Sequence, residues 1–318
     1  MIVDGARPPG PYHPPAMKAV SRNEALVADF ALVLVTAIWG STFIVNRKVL
    51  DTAPPLLFLL LRFGLGAVVL VFLARGRPRT PRLVTDSAVI GALLAVGIGL
   101  QLVGQLFTTA SKAAFVTGLS VPLTPVVGFL VSRKLPSAQN LAGLVFASAG
   151  FAAMCWPSGA VGLNLGDLLI LGTAVSYAYL IVYIAEAAGR HDVRWFSAGQ
   201  ILFGFLFVGL ARLALTPFLS RPGAFFAAES RPIPRTPEFV VAVLWMGILA
   251  TVVTFLVQTW AQARMSATHA AILFALEPVF TALFAWVFLS EKMSVREWSG
   301  AALVLLGIVI SELPASRK

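Results

Sequence analysis

Two stretches decide the reading of this chain: QLVGQLFTTASKAA at residues 101–114 and QTWAQARMSATHAA at residues 258–271. Gln101 and Gln105 stand opposite Gln258 and Gln262, and the following turns, Ala110 to Ala114 and Ala267 to Ala271, stay in the same register, all at a shift of 157. Gly143 and Gly150 match Gly300 and Gly307 at that shift, and Pro122 matches Pro278 at 156. Earlier, Asp29 matches Asp167 at a shift of 138, with Trp39-Gly40 opposite Tyr177-Ala178. The difference of 19 fits within the Pro-rich, charged connection at 217–237. An ordered series of this kind is the mark of an internal duplication.

The residues around these stretches set the solvent. Apolar residues make up 58% of the chain and charged ones only 12%, which is far from the roughly one quarter charged of soluble domains. The apolar residues come in runs of about twenty, the length that crosses a hydrocarbon layer as a helix. Spans are predicted at about 29–49, 55–73, 86–107, 112–132, 139–157, 167–187, 195–216, 238–262, 267–289 and 295–312, which makes ten. The expected fold is therefore all-α integral membrane, with ten transmembrane helices as two inverted five-helix repeats, because an odd number of spans turns the second copy upside down. The repeats are placed at 25–158 and 159–312, between tails at 1–24 and 313–318. The first tail is Pro-rich and polar, reading as disordered and not as a signal peptide.

Helix-entry chemistry marks several starts. Asp29, Asp86 and Asp167 are expected to open the first, third and sixth spans, Pro54 and Pro55 precede the second, and Ser294 with Glu297 has capping-box spacing before the tenth. Lys and Arg are in excess on the side of the N-terminus, with Arg75, Arg77, Arg79 and Arg82 in one short connection. The positive-inside rule then puts both termini in the cytoplasm. A net charge of +10 is thus a topology signal, and no basic helix interleaved with aromatics argues for nucleic acid. The lone cysteine, Cys155, sits in an apolar run, which gives neither a disulfide framework nor a metal pair.

The sequence resembles the drug/metabolite transporter superfamily, specifically its EamA-type ten-helix exporters. The residues that carry the likeness are Ala37 to Phe43, Arg62, Ala110 to Pro125, Leu276-Glu277-Pro278-Val279, Ser290-Glu291-Lys292 and Gly300 to Gly307. The resemblance extends over residues 29–312 and is strongest to the bacterial aromatic amino acid exporters of the YddG type. It implies two five-helix repeats, cytoplasmic termini, efflux of amino acids or other metabolites, and a central cavity lined by the first, third, fourth, sixth, eighth and ninth helices. One departure is Arg133-Lys134, where halves of this family often carry a glutamate after the fourth span.

Individual residues give the candidate site. Glu277 falls near the middle of the ninth span, where a carboxylate costs roughly 2.5–3.5 kcal/mol unless it faces protein or water. It is the first candidate to accept a substrate ammonium or exchange a proton, against a structural bond to a neighbouring helix. Gln101 with Gln105, and Gln258 with Gln262, are i,i+4 pairs that share one helical face, with Thr254 extending the second, and read equally as cavity wall or as helix–helix glue. Trp39, Phe43 and Asn46 on the first helix and Thr173, Ser176, Tyr177 and Tyr183 on the sixth suit a cavity for aromatic or bulky apolar metabolites, or ordinary packing. Trp39, Phe43 and Tyr177 join Glu277 and the four glutamines as the expected substrate-binding set. Pro122, Pro125 and Pro278 are hinge candidates that interrupt hydrogen-bond ladders. His269, with Lys112 at the equivalent position, is placed at an outer entrance and is a second proton-coupling candidate. Arg62 either binds an anionic group, snorkels or makes a structural pair.

The function expected is a secondary transporter that exports amino acids or related metabolites across the bacterial inner membrane by alternating access, acting as a monomer. Its partners would be a small-molecule substrate, protons through Glu277 or His269, and the bilayer, with no cofactor and no metal. A membrane-embedded enzyme or another efflux carrier is the alternative. Against an enzyme, the sequence has no G-x-S-x-G elbow, no metal-ligand spacing and no Walker loop, and His13, His191 and His269 do not converge. A channel would call for symmetry about a pore and a ring of selectivity residues.

Overall fold

A computed structural model describes residues 21–108, 113, 116–133, 135–155, 164–289 and 294–312. The expectations for Lys112, Ser290-Glu291-Lys292, Lys134, residues 1–20 and the C-terminal tail lie outside these residues, as does the side chain of Cys155, whereas residues 21–24, expected to belong to the disordered tail, open the first helix. Among the described residues the regular structure is all helix, with no strand. The helices are α1 (Arg22–Leu50), α2 (Pro55–Ala74), α3 (Leu83–Gly104), α4 (Ser120–Ser132), α5 (Ala138–Cys155), α6 (Leu165–Ala187) and α7 (Val193–Leu215). They are followed by α8 (Pro237–Gln262), by α9 in two pieces (Ala267–Phe274 and Glu277–Leu289) and by α10 (Val295–Glu312). Seven described helices are long and apolar enough to cross a membrane, and the segments Val116–Ser132 and Trp298–Ser311 are shorter apolar helices. With α5 these make the ten expected spans.

The entry signals hold at α2 and α6, while Asp86 stands in the first turn of α3 without capping it and the side chain of Glu297, expected to pair with Ser294, lies outside the described residues. Ser21 and Glu24 form the capping box that starts α1, so the helix begins two turns before Asp29. Asp29 is therefore no helix opener, and its carboxylate instead reaches His269. Asn164 and Asp167 form the equivalent box on α6. Pro54 and Pro55 start α2 without a side-chain cap of their own. That end is completed from afar by Glu229, in a short helix Ala224–Glu229 of the connection before α8, whose Oε2 accepts from the Leu56 amide at 2.8 Å.

Helix packing repeats between the two halves. The contact of α1 with α9 is matched by that of α6 with α4, α3 with α6 by α8 with α1, and α3 with α7 by α8 with α2. Three pairs are self-matched: α2 packs on α7, α5 on α10 and α4 on α9. In the second pair Gly143 lies against Gly307 and Gly150 against Gly300, although sequence equivalence pairs 143 with 300 and 150 with 307. Residue i touching j′ while j touches i′ is what a twofold relation requires. The glycines let the backbones approach closely, which is how helices associate in lipid without a hydrophobic drive.

Candidate functional site

α4 and α9 are interrupted at equivalent places. In α9 the helix breaks at Ala275-Leu276, directly before Glu277 and Pro278, and the Ala275 and Leu276 amides bond back to Ile272 and Leu273 in tighter turns. In the first half, residues 116–118 are helical, Leu119 is a turn, and α4 resumes at Ser120, two residues before Pro122. Prolines lack the N–H that would carry the ladder through. Pro125 lies inside α4, where the Thr124 hydroxyl donates to the Ser120 carbonyl at 2.8 Å. Breaks in a membrane helix are tolerated where they are buried in protein or line a cavity.

Both breaks face one cavity of about 80 Å³. A water needs about 10–15 Å³ by this measure, so several fit. Its walls come from Trp39, Thr42 and Phe43 of α1, Leu94, Ile98 and Gln101 of α3, and Tyr177, Leu180 and Ile181 of α6. Phe255 and Gln258 of α8 and the two broken segments, 117–121 and 274–278, close it. These are the six helices implied by the family resemblance, and Arg62 adds α2 as a seventh.

The polar groups are arranged unequally. Tyr177 Oη donates to Gln101 Oε1 at 3.3 Å, and Gln101 Nε2 donates to Thr117 Oγ1 at 3.2 Å, a chain that ties α6, α3 and the first break together. Trp39 is held between Phe255 and Phe274, with ring centroids 6.1 and 5.4 Å away. Gln258 is buried with no donor to its Oε1 among the described residues. Glu277 is partly buried and lines the cavity, with no hydrogen bond or ion pair from a described residue at its carboxylate.

Arg62 neither snorkels nor meets a carboxylate within 4 Å among the described residues. Its Nε donates to Thr251 Oγ1 at 2.8 Å and one Nη to the Ala250 carbonyl at 2.9 Å. These partners lie where α8 widens to a π-helix over Trp245–Val253, and there the Thr251 hydroxyl in turn donates to Met246 O at 2.7 Å. Such widening releases carbonyls from the regular ladder, and it recurs at functional sites. The sequence gives no sign of it beyond the improbable arginine.

Of the expected set, Trp39, Phe43, Gln101, Tyr177, Gln258, Glu277 and Pro278 lie on this cavity. Gln105 and Gln262 do not. Each follows its partner by one turn, and the cavity ends within that turn: Gln105 caps α3, while Gln262 Nε2 donates to Ile181 O at 3.0 Å. Thr173 and Ser176 bond backbone carbonyls of α3, Gly97 O and Leu93 O, and so serve as interhelical ties. Pro122 and Pro125 stand beside the first break, off the wall. His269 is placed otherwise than expected: its Nε2 is 2.9 Å from Asp29 Oδ1, and Ser311 Oγ is 3.4 Å from its Nδ1. It therefore lies on the face of the N-terminus, since eight crossings return the chain to the side where it started. A second Asp–His pair, Asp86 with His191 at 2.8 Å, joins the first turn of α3 to the connection before α7, with Thr80 of the connection before α3 on the other ring nitrogen.

Comparison with known proteins agrees with this architecture. The EamA-like transporter family model matches residues 26–156 and again 164–313. An uncharacterised transporter of Archaeoglobus fulgidus is 30% identical over 288 residues, 91% of this chain and 86% of the relative. The uncharacterised transporter YoaV of Bacillus subtilis is 26% identical, over 90% of this chain and 97% of its own length. The uncharacterised inner membrane transporter YedA of Escherichia coli is 26% identical, over 89% and 90%. A solved crystal structure superposes with a TM-score of 0.71 at 20% identity, covering 93% of this chain and 98% of that one, a likeness of fold. Family and relatives point to a transporter in place of an enzyme, and with two family matches spanning both repeats, the chain belongs to the EamA-like transporter family.

Proposed function

We propose that this membrane transporter exports amino acids, by preference aromatic or bulky apolar ones, or closely related metabolites, across a bacterial inner membrane. One observation carries the reading: a mid-membrane cavity walled by Trp39, Phe43, Tyr177, Phe255 and Phe274 holds a carboxylate, Glu277, with no partner in the described protein. An aromatic wall takes up an apolar side chain, and an unpaired carboxylate in a water-poor site attracts an ammonium or a proton.

Alternating access is supported by the reciprocal packing of the halves and by the equivalent breaks in α4 and α9, which give each half a place to bend. Glu277 is the leading group for proton coupling, and His269 is the second. The excess of Lys and Arg on the N-terminal side supports cytoplasmic termini. Both matched halves are present in the one chain, which supports action as a monomer.

Counterflow in proteoliposomes tests the proposal. Vesicles preloaded with unlabelled phenylalanine should transiently accumulate labelled phenylalanine above equilibrium. Simple equilibration, or no uptake with any of the twenty amino acids, would exclude amino acid exchange.

A further inference from the structure

Arg62 is an arginine inside an apolar helix, 5% exposed, and its burial is not compensated by an acid. Among the described residues no carboxylate lies within ion-pair distance, and the groups that hold it, Thr251 Oγ1 and Ala250 O, are neutral. A buried charge with only neutral partners is expensive, and in membrane spans such groups mark substrate or ion pathways. The guanidinium is also used asymmetrically. Nε and one Nη are committed to α8, whereas the other Nη has no acceptor among the described residues and belongs to a side chain on the cavity wall. Anchoring one edge of a planar fork presets the direction of the remaining donors, the geometry that suits a carboxylate.

From this placement we propose that Arg62 is the anion-binding residue of the cavity, receiving the carboxylate of the transported molecule on its uncommitted edge, while Thr251 and Ala250 position it. The inference rests on the transport reading above and narrows it. Substrates carry a carboxylate as well as an apolar group, and any ammonium is taken at Glu277, elsewhere on the same wall. The widened segment of α8, which carries both Thr251 and Ala250, thereby becomes a specificity element.

Four probes of one shape separate the charges: phenylalanine, 3-phenylpropionate without the ammonium, and phenylalaninamide and phenylethylamine without the carboxylate. Thermal stabilisation of the purified full chain reads binding to the folded state. In the wild type, phenylpropionate or phenylalanine should half-saturate the shift at concentrations at least tenfold below those of the two carboxylate-free probes. Arg62→Gln should abolish that preference, and Arg62→Lys should keep part of it. A merely structural arginine would lower the melting temperature of the variants without altering the preference. Stabilisation of the wild type by phenylpropionate alone would defeat the amino acid reading and uphold Arg62 as the anion site. Equal stabilisation by carboxylates and carboxylate-free probes, stabilisation by none of the four, or a preference undiminished in Arg62→Gln would each overturn the proposal. Should Arg62→Gln fail to fold, the wild-type comparison and Arg62→Lys decide the matter.

Discussion

Gly143 and Gly307 meet across the contact of α5 with α10 so closely that a Cβ placed on either one would come within 2.6 Å of the other's carbonyl oxygen. The obstruction is backbone on both sides, so no side chain can swing away. Enlarging Gly143 must separate the helices. Gly143→Val should destabilise the protein by about 1–3 kcal/mol, the usual range for overpacking. The reciprocal Gly307→Val should do so to a similar extent, because it enters the same contact from the other side, 2.6 Å from the Gly143 carbonyl oxygen. Unchanged melting temperatures in detergent for both variants would show that the close backbone approach here does not contribute to stability.

Glu229 provides the pH dependence. Burial pushes its carboxyl above the ordinary range, against the opposing pull of the Leu56 amide and of Arg212, whose Nε lies 2.9 Å from Oε1. Between the ordinary and the raised value the folded chain holds a proton that the unfolded chain has released, so stability falls as pH rises through that window and is flat above it. Glu229→Gln cannot titrate. Its melting temperature minus that of the wild type should therefore rise from pH 4 upward and level off. A difference that falls with pH would reverse the sign assigned to this carboxyl.

How much of this was legible in advance follows from what kind of interaction places each group. The ten spans and the two copies came from apolar run length and from glycines, prolines and glutamines in register, signals local to each helix. Gln101 and Gln258 could be placed on one face with Gln105 and Gln262, but where the cavity stops depends on how far neighbouring helices diverge, which periodicity does not encode. Asp29 shows the same limit. Its position near an apolar run looks like a cap, yet Ser21 and Glu24 outcompete it locally and His269, far away in sequence, claims it. The π-segment that orients Arg62 has no compositional signature in WMGILATVV, so the role of that arginine became readable only when α8 was seen beside it.

Glu277 is expected to govern transport of ammonium-bearing substrates. Glu277→Gln keeps the shape and loses the charge, so counterflow of phenylalanine should fall at least tenfold. Stability should change little, because no described residue loses an ion pair. Flux equal to that of the wild type at every pH from 5 to 8, at matched protein levels, would exclude this carboxylate from both substrate binding and proton exchange.

Asp29 and His269 join α1 to the start of α9 on the N-terminal face, and Ser311 of α10 stands beside them. If alternating access opens that face, these bonds must break in the open state, so weakening them favours opening. A pair of this kind contributes on the order of 1 kcal/mol, and 1 kcal/mol shifts a two-state ratio about fivefold. Ser120 lies on the cavity wall and can report access when changed to cysteine in a Cys155→Ala background. With Asp29→Asn added, an impermeant maleimide presented to the N-terminal face should label that cysteine several times faster, and from the opposite face more slowly. Vesicles of the two orientations supply the two measurements. Equal rates with and without Asp29→Asn on both faces would mean that the pair does not hold the N-terminal face shut. An increase from both faces would mean that the change loosened the bundle without shifting it between two states.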